Sequence, residues 1–427
     1  MKCISFGKLN KYYLYIIIFI VLSILYNFIL GDQYSDLFID RSFFTQKLFN
    51  KHYFVRQIIF HFFIILLALF QIFIRNKYFS VKHKPHNSSI YIIKLIHIDA
   101  EEEIKSKISY KYYILTIFTM IIEDQLLEGL FIKIFDNVDF WMIELIIVSY
   151  ITSKRFNFKI YKHQKLAFCI NTISFILKII TIILNIIICK TKHNYLLFFG
   201  IIIYICLITF RSIVNSQIKF YMDIKYISIE KILILYGIIG TIIFLIYSLM
   251  TTFILNETYE CEKENIESCS KKYMFYENIG QYFKNLITCN FEVLFFELIF
   301  IFIGSILLYA KKYFYLLVIK FFTPSHIIFS YPLLFLLDKL VLVIITSTYK
   351  DTPFIKDVKN YDYKINKFYL DISGDIISIL CFVIYLEIII FHCCKLDYNI
   401  KENIIERGID DVKNIFSQNN DETFFIE

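Results

Sequence analysis

Acidic and amide side chains interrupt an apolar run at 112–135: Glu123, Asp124, Gln125 and Glu128. A second run, 291–322, carries Lys311 and Lys312, and a third, 140–152, carries Glu144. A charge at the centre of a bilayer costs at least about 2.5–3.5 kcal/mol. Such groups persist where they pair, meet water or meet a solute. If the helices bearing them line one cavity, one wall offers carboxylates and the other ammonium groups. That combination suits an amphoteric or anionic solute and leaves the carboxylates available for proton coupling. Asp124, Gln125, Lys311, Lys312 and Glu144 are therefore the candidate solute-binding residues. The competing reading puts Lys311-Lys312 in a cytosolic loop between one helix and a half-helix.

Glu292, Glu297, Asp338, Lys339 and Glu387 are further charges in apolar runs. Asp338-Lys339 also reads as a neighbouring ion pair. Asp371 and Asp375, four apart near the expected start of a helix, fit the positive end of the helix dipole as well as they fit an ion. His61 and Gln71 are expected to hydrogen-bond across helices. Cys393-Cys394 beside an apolar run is a palmitoylation candidate. The ten Cys form no C-x-x-C, and no His cluster stands at zinc spacing, so no metal site is indicated. Cys261 and Cys269 lie eight apart in the polar stretch 256–288 and can close a small disulfide ring, with Cys289 as the rival partner. The same stretch opens with the glycosylation sequon Asn256-Glu257-Thr258.

The sequence has no P-loop, no G-x-S-x-G, no H-E-x-x-H and no dinucleotide fingerprint, so neither an enzyme class nor a cofactor is indicated. One stretch keeps an enzyme reading open. GDQYSDLFIDR at 31–41 places Asp32, Asp36 and Asp40 just beyond the first apolar run. It looks like the acidic first lumenal loop of membrane glycosyltransferases that use lipid-linked sugars. A solvated loop is the preferred reading. A multispan protein with a purely structural role is the third alternative.

These residues need elements to hold them. Of 427 residues, 58% are hydrophobic and only 19% charged, and the mean hydropathy is +0.59. Soluble domains carry about a quarter charged residues. The excess sits in long apolar blocks, which reads as an integral membrane protein. Gly 10 and Pro 4 are too few for a many-turned β protein. The expected fold class is all-α, with about ten transmembrane helices at 12–30, 54–74, 112–135, 140–152, 166–188, 195–210, 232–255, 291–322, 326–346 and 368–392. Each is near the ~20 residues that cross a bilayer. The abundance of Ile, Phe, Tyr, Asn and Lys looks like the codon bias of an AT-rich genome. The formal charge of +7 calls for no nucleic-acid partner, because positive loops beside a membrane explain it. The expected partners are a small-molecule solute, the bilayer and, as an option, a second copy of the chain.

The segment Tyr315 to Leu337, YLLVIKFFTPSHIIFSYPLLFLL, runs an apolar helix into Thr323-Pro324-Ser325, breaks, and starts another helix at once. Gly129 to Ile151, GLFIKIFDNVDFWMIELIIVSYI, follows the same plan. Aligning Lys133 on Lys320 puts Phe135 on Phe322 and Asp136-Asn137-Val138 on the Thr-Pro-Ser break. The same alignment puts Asp124 on Lys311 and Gln125 on Lys312. Repeated helix-break-helix units mark transporters built from internal repeats. With the N-terminus in the cytosol, most of the 45 Lys and Arg fall on the cytosolic side. Asn256, Cys261 and Cys269 then fall on the lumenal or extracellular side, where glycans and disulfides form. The expected organisation is a first five-helix half at 1–188, a second at 189–392 and a cytosolic polar tail at 393–427, with both termini cytosolic in an endomembrane or plasma membrane.

Ten spans, cytosolic ends, an inverted repeat and an aromatic-polar break before the fourth helix of each half resemble the drug/metabolite transporter superfamily. The stretches that carry the resemblance are FFTPSHIIFSYPLLFLL (321–337) and FWMIELIIVSYITSKRFNFKIYKHQ (140–164). Nucleotide-sugar transporters and the chloroquine-resistance-transporter relatives are the branches it points to, the latter for a cysteine-bearing loop between spans seven and eight. The resemblance implies a secondary carrier working by alternating access. It names no substrate, and the low glycine content departs from the family's pattern.

Overall fold

The computed structural model describes residues 4–6, 13–30, 53–78, 110–125, 141–156, 161–189, 194–223, 225, 227–256, 279–289, 291–348, 362–392 and 396. Among these residues the protein is all-α apart from one short ribbon. Among the described residues the helices are α1 (Tyr13–Leu30), α2 (Tyr53–Tyr78), α3 (Tyr110–Gln125), α4 (Trp141–Phe156), α5 (Lys162–Cys189) and α6 (Asn194–Asp223). They continue with α7 (Ile229–Asn256), α8 (Ile279–Thr288), α9 (Phe291–Phe321), α10 (Pro324–Thr348) and α11 (Asp362–Tyr385). Strands β1 (Ile4–Phe6) and β2 (Ile389–Phe391) pair antiparallel, with Ser5 opposite Ile390.

Helix ends follow local chemistry. α9 stops where Thr323-Pro324 begins α10: proline lacks the amide hydrogen but suits the first helical position. Thr323 immediately precedes α10; its N–H donates to His326 Nδ1 at 3.3 Å, and its hydroxyl lies 2.8 Å from the same nitrogen. Lys219 Nζ donates to the Lys320 carbonyl at 2.8 Å, supplying a donor that the last turn of α9 lacks. α11 closes in a Schellman turn. Ile388 N donates to Val383 O, Glu387 N donates to Ile384 O, and Glu387 takes the left-handed conformation at φ 59°.

Several expectations change here. α9 is one helix of 31 residues, about 46 Å long, so Lys311-Lys312 lie inside a helix and the loop reading fails. α6 runs past the end of its apolar block at 210 to Asp223, so Arg211 and Lys219 are helical. α11 starts at Asp362, which leaves Asp371 and Asp375 well inside it, beyond the reach of its terminal dipole. Asp375 is fully buried. The short helix α8 was not expected. The acidic stretch 31–41, Cys261, Cys269, Cys393 and Cys394 lie outside the described residues, and so do the side chains of Gln125, Asn256, Asp338 and Lys339.

The helices pack in definite pairs. α2 and α7 run antiparallel in close contact: the Phe54 ring meets Tyr247 at 4.5 Å, and Arg75 reaches Glu230 at 2.8 Å. Glycine makes this approach possible. A Cβ at Gly237 would stand 2.8 Å from the His61 carbonyl oxygen, and one at Gly240 would stand 2.0 Å from the His61 ring. The few glycines of the chain thus include one, Gly237, where a helix backbone comes close, and one, Gly240, that leaves room for the His61 ring. α5 and α11 pair through a polar seam in which Ser174 donates to the Gly374 carbonyl at 2.7 Å and Ser378 to Asn171 Oδ1 at 3.0 Å. Further pairs are α1 on α9, α3 on α6, α4 on α6, α1 on α10, α2 on α9 and α3 on α7.

The buried core gathers Ile64 of α2, Ile117 of α3, Ile232 of α7, Leu316 of α9 and Phe329 of α10. Outward faces are apolar as well, with Leu14, Ile17, Val21 and Leu25 exposed along α1. Water rarely covers so much apolar surface on a monomer, whereas hydrocarbon does. Within α2, α7 and α9, the stretches Phe54–Arg75, Ile229–Met250 and Glu297–Phe321 are long and apolar enough to cross a membrane.

Candidate functional site

Three helices bring a charge cluster together where α3, α7 and α9 meet. Asp124, near the described end of α3, lies 2.6 Å through Oδ2 from Lys312 Nζ of α9. Tyr236 of α7, fully buried, donates its hydroxyl to the same oxygen at 3.0 Å. Lys312 Nζ sits over two rings, Tyr236 at 5.6 Å and Tyr315 at 5.7 Å. Tyr315 follows Lys312 by three residues, so both share one face of α9. Its hydroxyl donates to Asn215 Oδ1 of α6 at 2.6 Å. The His61 ring of α2 stacks on Tyr236 at 5.2 Å.

His61 corrects one expectation: it bonds within its own helix, Nδ1 to Gln57 O at 2.8 Å. A carbonyl only accepts, so Nδ1 carries the hydrogen and Nε2 presents its lone pair. Gln71 does reach across, accepting from the Tyr309 hydroxyl of α9.

Of the candidate residues, Asp124 and Lys312 are joined directly. Lys311 is buried beside them on α9 but turns toward α1, with Nζ 4.5 Å from the Tyr26 ring. Gln125 ends α3. Glu144 sits apart. It is fully buried in α4 and bound by Arg211 of α6, whose Nε lies 2.7 Å from Oε1 while a second nitrogen meets Oε2. The Arg211 guanidinium also lies over the Tyr331 ring of α10 at 5.2 Å. Glu144 therefore ties helices together.

Glu297 has a similar arrangement, with Arg56 of α2 contacting both its oxygens at 2.8 and 2.7 Å. Tyr282 of α8 donates to it at 3.3 Å. Burial, with the Glu297 charge adding to it, holds the Tyr282 phenol well above its usual range. Cys289, considered as a disulfide partner, is a free thiol. Among the described residues no three His, Cys, Asp or Glu side chains converge as metal ligands would.

Sequence reading missed Arg56, Arg211, Tyr236, Tyr315 and Asn215. A tyrosine three residues after Lys312 was the one local signal; the other positions depend on which remote helix approaches. Compared with protein-family models, curated proteins and solved structures, the chain matches none.

Proposed function

We propose that the chain is a secondary carrier, a multi-pass integral membrane protein that moves a small polar solute by alternating access rather than transforming it. The observation that carries this reading is the Asp124–Lys312 pair, held by Tyr236 between α3, α7 and α9. Paired charges inside apolar helices are the groups a polar solute would engage.

The order of packing supports two inverted halves. Exchange α1, α2, α3, α4 and α5 for α6, α7, α9, α10 and α11. The contact of α1 with α9 becomes α6 with α3, that of α4 with α6 becomes α10 with α1, and that of α2 with α9 becomes α7 with α3; all of these contacts occur. α2 with α7 and α5 with α11 are pairs of counterparts. Two halves related by a pseudo-two-fold axis give this pattern. It favours the ten-span arrangement of the drug/metabolite carriers that the sequence resembles, with cytosolic termini, a glycan at Asn256 and a lumenal Cys261–Cys269 bridge.

The test is uptake by the reconstituted full-length chain from a broad panel of labelled solutes: amino acids, nucleotides, sugars, organic anions and organic cations. At least one should enter vesicles bearing the wild-type chain and enter more slowly with Asp124→Asn. Uptake of every solute at the level of empty vesicles would overturn the reading.

A further inference from the structure

Two polar atoms at this site are buried without a hydrogen-bond partner: Nε2 of His61 and Nδ2 of Asn215. His61 is 0% exposed and Asn215 2%. The two are of opposite kinds. Nε2 is an acceptor, because Nδ1 holds the ring hydrogen. Nδ2 is a donor, because Tyr315 already occupies the amide oxygen. Each stands one ring away from Lys312. His61 stacks on Tyr236, one of the two rings around Lys312, and Asn215 bonds Tyr315, the other. Buried polar groups are rarely left unmatched, since desolvation without a partner is unfavourable.

Charge decides which ligand fits. A simple anion that takes Lys312 strips Asp124 of its cation, and a simple cation that takes Asp124 strips Lys312. Either leaves an unpaired charge among apolar helices. A solute with one charge of each sign satisfies both and adds no net charge. We propose that the site recognises a small zwitterion of the amino-acid type. Its ammonium group takes Asp124 and the His61 lone pair, and its carboxylate takes Lys312 and the Asn215 amide hydrogens. One direct ion pair is exchanged for two, each with a neutral hydrogen-bonding neighbour. This deepens the carrier reading and rests on it.

The probes are labelled neutral amino acids, each with its N-acetyl form, which lacks the ammonium group, and its amide, which lacks the carboxylate. Uptake and binding are measured on the reconstituted full-length chain. At least one free amino acid should be taken up saturably, and both derivatives should compete at least about tenfold less well. Asn215→Asp keeps the acceptor for Tyr315 and removes the donor, so binding of the amino acid should also fall at least about tenfold in protein of wild-type thermal stability. Equal competition by either derivative, or unchanged affinity in Asn215→Asp, would overturn the proposal. So would Asp124-dependent uptake of only anions or only cations from the broader panel, a result that leaves the carrier reading standing.

Discussion

Asp124, Glu144, Glu230 and Glu297 each meet a cation supplied by another helix. Where both partners are buried, removing one strands the other, at about 3–5 kcal/mol, whereas replacing both by apolar residues of similar volume is often nearly neutral. Arg56–Glu297 is the clearest case, with side chains 8% and 2% exposed. Arg56→Met and Glu297→Leu should each lower thermal stability sharply, and the double variant should recover most of the loss. Additive losses in unfolding scans would mean that the two residues act separately. The cluster at Lys312 permits a finer comparison. Because Lys312 rather than Lys311 holds Asp124, Lys312→Met should abolish solute uptake while Lys311→Ala reduces it less. Uptake at wild-type level in Lys312→Met, at equal abundance, would remove the pair from the mechanism. Asp124 and Lys312 were legible as charges in apolar runs; their pairing was not. Aligning the repeats matched Asp124 with Lys311, but alignment carries no information on helix rotation, and one residue turns a side chain by about 100°. Arg56 and Arg211 escaped notice because each stands at the edge of an apolar block, where hydropathy assigns charges to water.

Among the elements, the α2–α7 crossing is the most sensitive to volume. The Cβ added by Gly237→Ala would meet backbone, the His61 carbonyl oxygen at 2.8 Å, and helix backbones cannot yield locally. Overpacking of this kind costs about 1–3 kcal/mol. Gly237→Ala should therefore lower the unfolding temperature despite alanine's better helix propensity, and an unchanged temperature would show that the crossing is looser than described. The linker that follows α7 has its own test. Peptide mapping without reductant should recover Cys261 joined to Cys269; free thiols at both positions end that expectation. Breaks and long helices were readable from sequence, as Thr323-Pro324 shows, because proline and capping chemistry act locally. The extension of α6 to Asp223 was not, since its last turns are polar and gain their burial from other helices: Ser212 and Ser216 are fully buried there. α8 was missed because ten residues of mixed composition resemble a loop until Tyr282 finds Glu297.

For the whole molecule, hydropathy located the long helices among the described residues because each apolar block is a local property of the chain. It could not say which helices meet. The contacts of α1 with α9 and of α5 with α11 join segments hundreds of residues apart, and only their complementary faces select them. The two seams differ in kind. α1 meets α9 through aromatic rings, Phe19 to Tyr315 at 5.7 Å, while α5 meets α11 through Asn and Ser hydrogen bonds. A polar face is legible as a face, but its partner is not written in it.

The small ribbon at the ends of the helical array carries a consequence of parity. β1 and β2 are hydrogen-bonded neighbours, so Ser5 and Ile390 lie about 5 Å apart, far less than the ~30 Å of hydrocarbon in a bilayer. They occupy the same side of any membrane the chain traverses, whichever side that is. Every path that leaves a surface and returns to it crosses an even number of times. Among the described residues the stretches long and apolar enough to cross, in α2, α7 and α9, are three, an odd number, so a chain whose two strands share one face does not cross by these three alone. Halves of a split fluorescent protein, one fused ahead of β1 and the other inserted after β2, should reassemble on a single face. A dark membrane with both halves expressed and the chain inserted would make the crossing number odd and unpick the ribbon.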